Sequence, residues 1–387
     1  SLLGPRVFWP SRGWQRAPQN RTYRRAGALV ARHPARVALA SGAALLALAA
    51  GALFYSADYD SINQLPASAG ARTAFDQVRA SFPAGAITPT SVYVTGDGPV
   101  DRAKIATLVA GHERPEGVAQ VAAPQYSPDG RTARIDVVLA ANPYSTQALD
   151  LVEGPIRAAA HTSGAGERIL VGGQTAAAAD VRAATNRDYA VVFPVAAIVI
   201  GLLLAWLLRS LVAPLYLLGS VLLGYGATLG VAVGAFQGLF GQPGLKSILP
   251  VILYLFVVAV GTDYSILMTA RLREAALDGH PPRTAAALAV ERAGPAVAAA
   301  GIILAGTFTA LLLTGIASLM QIGFAVSAGI LITSLVMATL LVPGLTALLG
   351  RHAWWPGHRI RTGPDSEQPP APVTSRGRSG PGGAPER

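Results

Sequence analysis

From residue 247 to residue 270 the chain runs for 24 residues with one charged side chain, Asp263. A run that long and apolar has the length of a bilayer-spanning helix, which needs about 20 such residues. Five more runs of comparable length, at 37–55, 190–208, 211–236, 294–316 and 321–349, bring the expected spans to six. Only 13% of the 387 residues are charged and 51% are hydrophobic, whereas a soluble chain carries about a quarter charged. The sequence therefore predicts an α-helical membrane protein with one span, a long hydrophilic insertion, and then five spans.

The charges orient it. Residues 1–36 hold eight arginines and no acid, and 271–293 has four basic and three acidic residues. Residues from 351 onward carry six basic and three acidic side chains, while 57–189 carries eleven basic and fourteen acidic. Arginine collecting in alternate loops is the positive-inside pattern, which places both termini in the cytoplasm and the insertion outside. The net charge of +10 then reports membrane topology and excludes a nucleic-acid partner.

Several chemistries are excluded too. There is no cysteine, hence no disulfide and no thiolate metal site. The two lysines, Lys104 and Lys246, do not follow glycine, so the Gly-Lys step of a phosphate-binding loop is missing. The histidines at 33, 112, 161, 280, 352 and 358 show no HExxH spacing, and no GxSxG elbow occurs. The reading is a non-enzyme without metal or cofactor.

The expected organisation is a basic cytoplasmic segment at 1–36, a first transmembrane helix at 37–55, and an extracytoplasmic domain at 56–187. A five-helix transmembrane bundle at 188–350 and a disordered cytoplasmic tail at 351–387 follow. Within 56–187, helical periodicity fits 71–80, 101–111 and 145–160, and strand-like runs occupy 90–95, 118–122, 132–140 and 168–172. That alternation predicts a small α+β layer of ferredoxin type. Gly172-Gly173-Gln174-Thr175 reads as strand, turn and helix start. Gly226, Gly230 and Gly234 share one face of their span and read as a packing surface.

Asp263 is the residue that calls for a function. It lies eight residues before Arg271, about 12 Å from the inner end of its helix. A carboxylate at such depth costs about 2.5–3.5 kcal/mol on insertion scales. Its neighbours one turn away, Ala259, Val260, Ile266 and Leu267, offer no hydrogen bond, and no expected span contains Lys, Arg or His. Desolvation penalises the charged form, so the acid is placed to take up and release a proton. Tyr264 beside it could hold the carboxylate or pass the proton. Thr307 and Thr309 on the next span are possible relay partners. Two other Asp-Tyr pairs, at 58–59 and 188–189, fall at span boundaries.

The segment Gly261-Thr262-Asp263-Tyr264, followed by Leu267-Met268-Thr269-Ala270-Arg271-Leu272-Arg273-Glu274, resembles the MMPL transporters of the resistance-nodulation-division superfamily. Leu65-Pro66, Phe82-Pro83-Ala84-Gly85, Gly172-Gly173 with Asp180, and Leu341-Val342-Pro343 with Leu348-Leu349-Gly350 extend the likeness over most of 1–356. The resemblance implies two repeats of six spans, each with a porter domain, of which this chain resembles the second. Leu2-Leu3-Gly4…Trp9-Pro10 echoes Leu348-Leu349-Gly350…Trp355-Pro356, as if the chain began at the end of a first copy. Many second repeats carry Asp and Arg in the last helix, where this chain has Thr333 and Ala338.

The resemblance further implies export of a lipid or other hydrophobic compound across the bacterial cytoplasmic membrane, driven by the proton motive force. Asp263 and Tyr264 would belong to the relay. The expected partners are the membrane, the hydrophobic cargo, and a first-repeat chain or further copies of this one. The competing reading is a membrane scaffold or lipid-sensing partner of a transport or envelope-assembly complex.

Overall fold

The computed structural model describes residues 21–356, apart from 61, 67, 83, 114 and 163–167. The expected N-terminal Leu-Leu-Gly…Trp-Pro segment and the tail from 357 lie outside the described residues.

Helix α1 (Arg21–Arg32) precedes α2 (Pro34–Ala50), which tightens into a 3-10 turn at Gly51–Phe54. The α/β unit follows: β1 (Ala57–Asp58), α3 (Gly70–Ser81), β2 (Thr90–Thr95), α4 (Arg102–Glu113), β3 (Val118–Val121), β4 (Gln125–Tyr126), β5 (Thr132–Leu139), α5 (Thr146–Leu151), α6 (Arg157–Thr162) and β6 (Arg168–Gly172). Then come α7 (Gln174–Leu208), α8 (Val212–Val233), β7 (Leu245–Lys246), α9 (Leu249–Leu277), α10 (Pro282–Thr309), α11 (Ala317–Leu331) and α12 (Val342–Leu349). Among the described residues, six helical segments are long and apolar enough to cross a membrane: Pro34–Phe54, Gln174–Leu208, Val212–Leu239, Leu249–Leu277, Pro282–Thr314 and Ala317–Trp354. The protein is a predominantly helical, multi-pass membrane protein.

The main sheet has the order β3-β5-β2-β6, every pair antiparallel, with β4 added on β5. Burial alternates along β5, so Ala133, Ile135, Val137 and Leu139 point into one core with Val92, Leu149, Val152 and Ile156. Between α5 and α6 the chain widens into a π-turn at Val152–Ile156, because Pro155 has no N–H to continue the α ladder.

The turn into α7 needs Gly173: its φ is +101°, and a Cβ there would lie 2.8 Å from the Pro89 carbonyl oxygen. Ala176 and Ala179 of α7 belong to the sheet's core, yet the same helix continues as a membrane-length span. Arg182 reaches Asp150 and Glu153 at 2.7 Å each, and Arg157 reaches Asp180 at 2.6 Å. The base of α7 is thereby tied to α5 and α6. A second link is the parallel pair β1–β7, which joins the exit of α2 to the entry of α9 through Ala57↔Leu245 and Asp58↔Lys246.

The spans pack by removing side chains where helices meet. A Cβ on Gly230 would collide with the Leu48 carbonyl, and one on Gly226 would sit 3.2 Å from the Ala49 Cβ. Gly234, the third glycine of the expected face, meets nothing within 4 Å and takes no part. The last span is interrupted by a π-helical stretch at Ile332–Leu341. There Thr333 and Ser334 turn their hydroxyls back to the Gly329 and Ile330 carbonyls at 2.9 and 2.7 Å, a habit that loosens a helix. Glycines of α8, α9 and α10 clasp this stretch. Gly224 and Gly261 face Met337 and Thr333, and Gly301 faces Ser334.

Two stretches left between the expected spans are helix. Residues 271–293 are mostly the end of α9 and the start of α10, joined by a turn with Gly279 at φ +86°. Their charged residues alternate with Leu272, Ala275, Ala276, Ala285, Ala286, Ala289 and Val290, whose burial holds both helices in place. Residues 317–320 form the first turn of α11, entered through Gly315 at φ +72°. The described part of the basic segment is helical. In α1, Tyr23, Gly27 and Val30 recur at helical spacing on the face turned to α10, where a Gly27 side chain would strike the Ala287 carbonyl.

Candidate functional site

Helix α9 has two unlike faces. Inward lie Leu253, Val257, Gly261, Ser265, Met268 and Leu272, all buried. Outward, four residues apart, run Leu255, Ala259, Asp263 and Leu267, all exposed; Leu255 keeps 67% of its surface and Leu267 41%. Asp263 is thus on the bundle's outer surface, in a stripe otherwise apolar over a membrane-length helix. Its carboxylate has no hydrogen bond or ion pair among the described residues.

Tyr264 is turned away from this stripe. It is half-buried and packs with the cluster of Leu249, Leu253, Ala305, Val326 and Ile330. Thr307 is exposed and donates to the Ile303 carbonyl of its own helix at 3.1 Å. The Thr309 and Ser327 hydroxyls lie 3.1 Å apart and both reach the Ala305 carbonyl at 2.8 Å, fastening α10 to α11. Neither threonine is bonded to Asp263.

A second set of polar groups escaped the sequence reading. Thr262 Oγ1, Ser265 Oγ and Thr269 Oγ1 are buried in α9 with no hydrogen-bond partner among the described residues. A buried hydroxyl left unpaired costs about 1–3 kcal/mol, so three on one helix are a notable expense of stability. They accompany Thr333 and Ser334, both fully buried in the π-helical stretch. The spacing 262, 265, 269 is helical and was readable in the sequence; what could not be read is that this face points inward.

Outside the spans, the junction with the α/β unit holds a buried acid. Asp58 accepts from the Asp60 N–H at 2.9 Å and from Asn63 and Gln64 at 3.4 Å. Burial, the largest influence, pushes its carboxyl above the ordinary carboxylate range, against the lowering pull of those hydrogen bonds. Asp58, Asn63, Gln64, Gln242 and Gln321 line a polar cavity of about 330 Å³ between the first span's exit and the α9 and α11 entries. No group of three or more His, Cys, Asp or Glu side chains that could hold a metal occurs among the described residues.

The arrangement is therefore an ionisable group on a lateral face, backed by a hydroxyl-rich interior, next to an α/β unit that shares a helix with the bundle. Residues 63–368 match the sequence profile of the MMPL family. The chain belongs to the MMPL family. It is 35% identical over 370 residues to the Streptomyces coelicolor membrane protein SCO5905, covering 92% of this chain and 43% of that one. It is 32% identical over 311 residues to the apo-petrobactin exporter of Bacillus anthracis, covering 78% and 41%. Against the acyltrehalose exporter MmpL10 of Mycobacterium tuberculosis it is 36% identical over 266 residues, covering 67% and 26%. This MMPL chain thus spans less than half of each of these three relatives. Those whose names state an activity are exporters, not enzymes.

Proposed function

We propose that this chain is one six-span unit of a proton-driven MMPL exporter that moves a lipid or other hydrophobic compound across the bacterial cytoplasmic membrane. The observation that carries the proposal is Asp263 on the outward stripe of α9. A carboxylate at that depth is costly when it faces lipid, and far less so when a protein face covers it or a proton neutralises it. A first-repeat chain, or a second copy of this one, would cover the stripe and enclose the acid. Proton uptake at Asp263 from outside and release inside would then drive the cycle, each proton contributing about 2.3 kcal/mol per 100 mV of membrane potential. Tyr264, half-buried beside it, would convey the charge change to the α10–α11 side of the bundle.

The α/β unit would serve as the extracytoplasmic porter domain. Its antiparallel order β3-β5-β2-β6, with one helix after β2 and a helical stretch before β6, supports a ferredoxin-type layer. The shared helix α7 supports mechanical coupling between that layer and the spans. The reading is tested by proton-driven flux of a hydrophobic cargo in vesicles. Asp263→Asn is expected to abolish the flux at normal protein levels, and unchanged flux would refute the relay role.

A further inference from the structure

A cavity of about 470 Å³ opens at the arginine-rich end of the bundle, between the end of α9, the start of α10 and the exit of α12. Its volume falls in the range of small-molecule sites, about 300–1,000 Å³. The inner wall is apolar and built from buried side chains: Leu272, Ala276, Ala285 and Trp354. The outer wall carries His280, Arg351 and His352, and among the described residues no acidic side chain lines the cavity. None of those three side chains makes a hydrogen bond or ion pair among the described residues. Of the acids nearest in sequence, Glu274 is paired with Arg271 at 2.6 Å and Asp278 is exposed and outside the lining.

Depth decides the ligand. Leu272 lies two residues beyond the apolar run that ends at Ala270, and Trp354 lies five residues beyond the apolar run that ends at Leu349. The cavity therefore straddles the level where hydrocarbon gives way to headgroups, a level where tryptophan collects. An apolar inner wall and a cationic outer wall at that depth match an amphiphile with a negative head. We infer that this cavity binds the phosphate headgroup and upper acyl chain of an anionic glycerophospholipid from the cytoplasmic leaflet. Arg351 supplies the fixed positive charge, and the imidazole N–H groups of His280 and His352 complete the phosphate's hydrogen bonds. The inference is independent of the export proposal, since the cavity and the Asp263 stripe share no residue.

The test is equilibrium binding to the full chain in neutral detergent, with dioctanoyl phosphatidylglycerol, dioctanoyl phosphatidylcholine and inorganic phosphate as probes. Saturable binding of phosphatidylglycerol is expected, with phosphatidylcholine at least about tenfold weaker, roughly 1.4 kcal/mol. The double variant Arg351→Gln/His352→Gln should weaken phosphatidylglycerol by about tenfold on the same scale. Arg24→Gln/Arg25→Gln, on the exposed face of α1, should leave it within about twofold, because diffuse surface charge is screened by salt. Equal affinity for the two lipids overturns the proposal, as does an unchanged affinity in the double variant. Equal loss in the α1 variant would assign the binding to general surface charge. Competition by inorganic phosphate at the lipid's own concentration would assign the cavity to free phosphate. Both outcomes contradict it. Arg351 and His352 are exposed, so the variants are expected to fold, and the comparison of lipids on the unaltered chain needs no variant at all.

Discussion

At the residue scale, positions that look alike in sequence behave differently. Gly230 and Gly234 are four apart in one expected face, yet only Gly230 lies against a neighbouring backbone, the Leu48 carbonyl. Gly230→Ala should lower the thermal unfolding midpoint of the solubilised chain, by an overpacking cost of about 1–3 kcal/mol. Gly234→Ala should leave it unchanged or raise it, since alanine in a helix gains up to about 1 kcal/mol over glycine. Asp58 gives a pH prediction. Its folded carboxyl binds protons more tightly than the unfolded one, whose value is about 3.9. The folded junction therefore holds the extra proton, and its stability falls as pH rises from that value through the raised one. The hydrogen-exchange protection factor at the β1–β7 pair, with the intrinsic pH dependence of amide exchange divided out, should be higher at acidic than at neutral pH, and Asp58→Asn should flatten that dependence. Asp263 itself was legible, because one charge in a membrane-length apolar run stands out. Its outward position was not. In a span, side chains facing lipid are as apolar as those facing protein, so periodicity does not separate inside from outside.

At the element scale, the strands at 90–95 and 168–172 coincide with β2 and β6, and the three expected helices of the α/β unit with α3, α4 and the α5–α6 pair. Alternation is informative there because water lies on one side of each element. Helix ends were misread wherever charged residues continued a helix beyond the bilayer, as in α9 past Arg271. The π-helical stretch and its glycine clasp left no local signal, since the clasp comes from three other helices. It yields a paired test. Gly301→Ala should destabilise the bundle by pressing on Ser334, and Ser334→Gly should recover part of the loss. A double-mutant cycle would show coupling of about 0.5–3 kcal/mol, whereas strict additivity would deny the contact. In the same way, Arg182→Ala removes the reach to Asp150 and Glu153. Faster hydrogen exchange at the base of α7, with little change in the spans, is the expected outcome.

At the scale of the whole molecule, helix α7 runs from the sheet's core into a membrane-length span, the β1–β7 pair bridges the same two parts, and Asp263 lies on a lateral face. In the export cycle proposed above, that face would be covered and that acid would change charge. The direct measurement is infrared difference spectroscopy of the reconstituted protein, following the band of a protonated carboxylic acid as the pH gradient is applied. The expected result is a band that appears on acidification, disappears in Asp263→Asn, and tracks cargo flux. A carboxylate that keeps one charge state throughout while cargo continues to cross would contradict it.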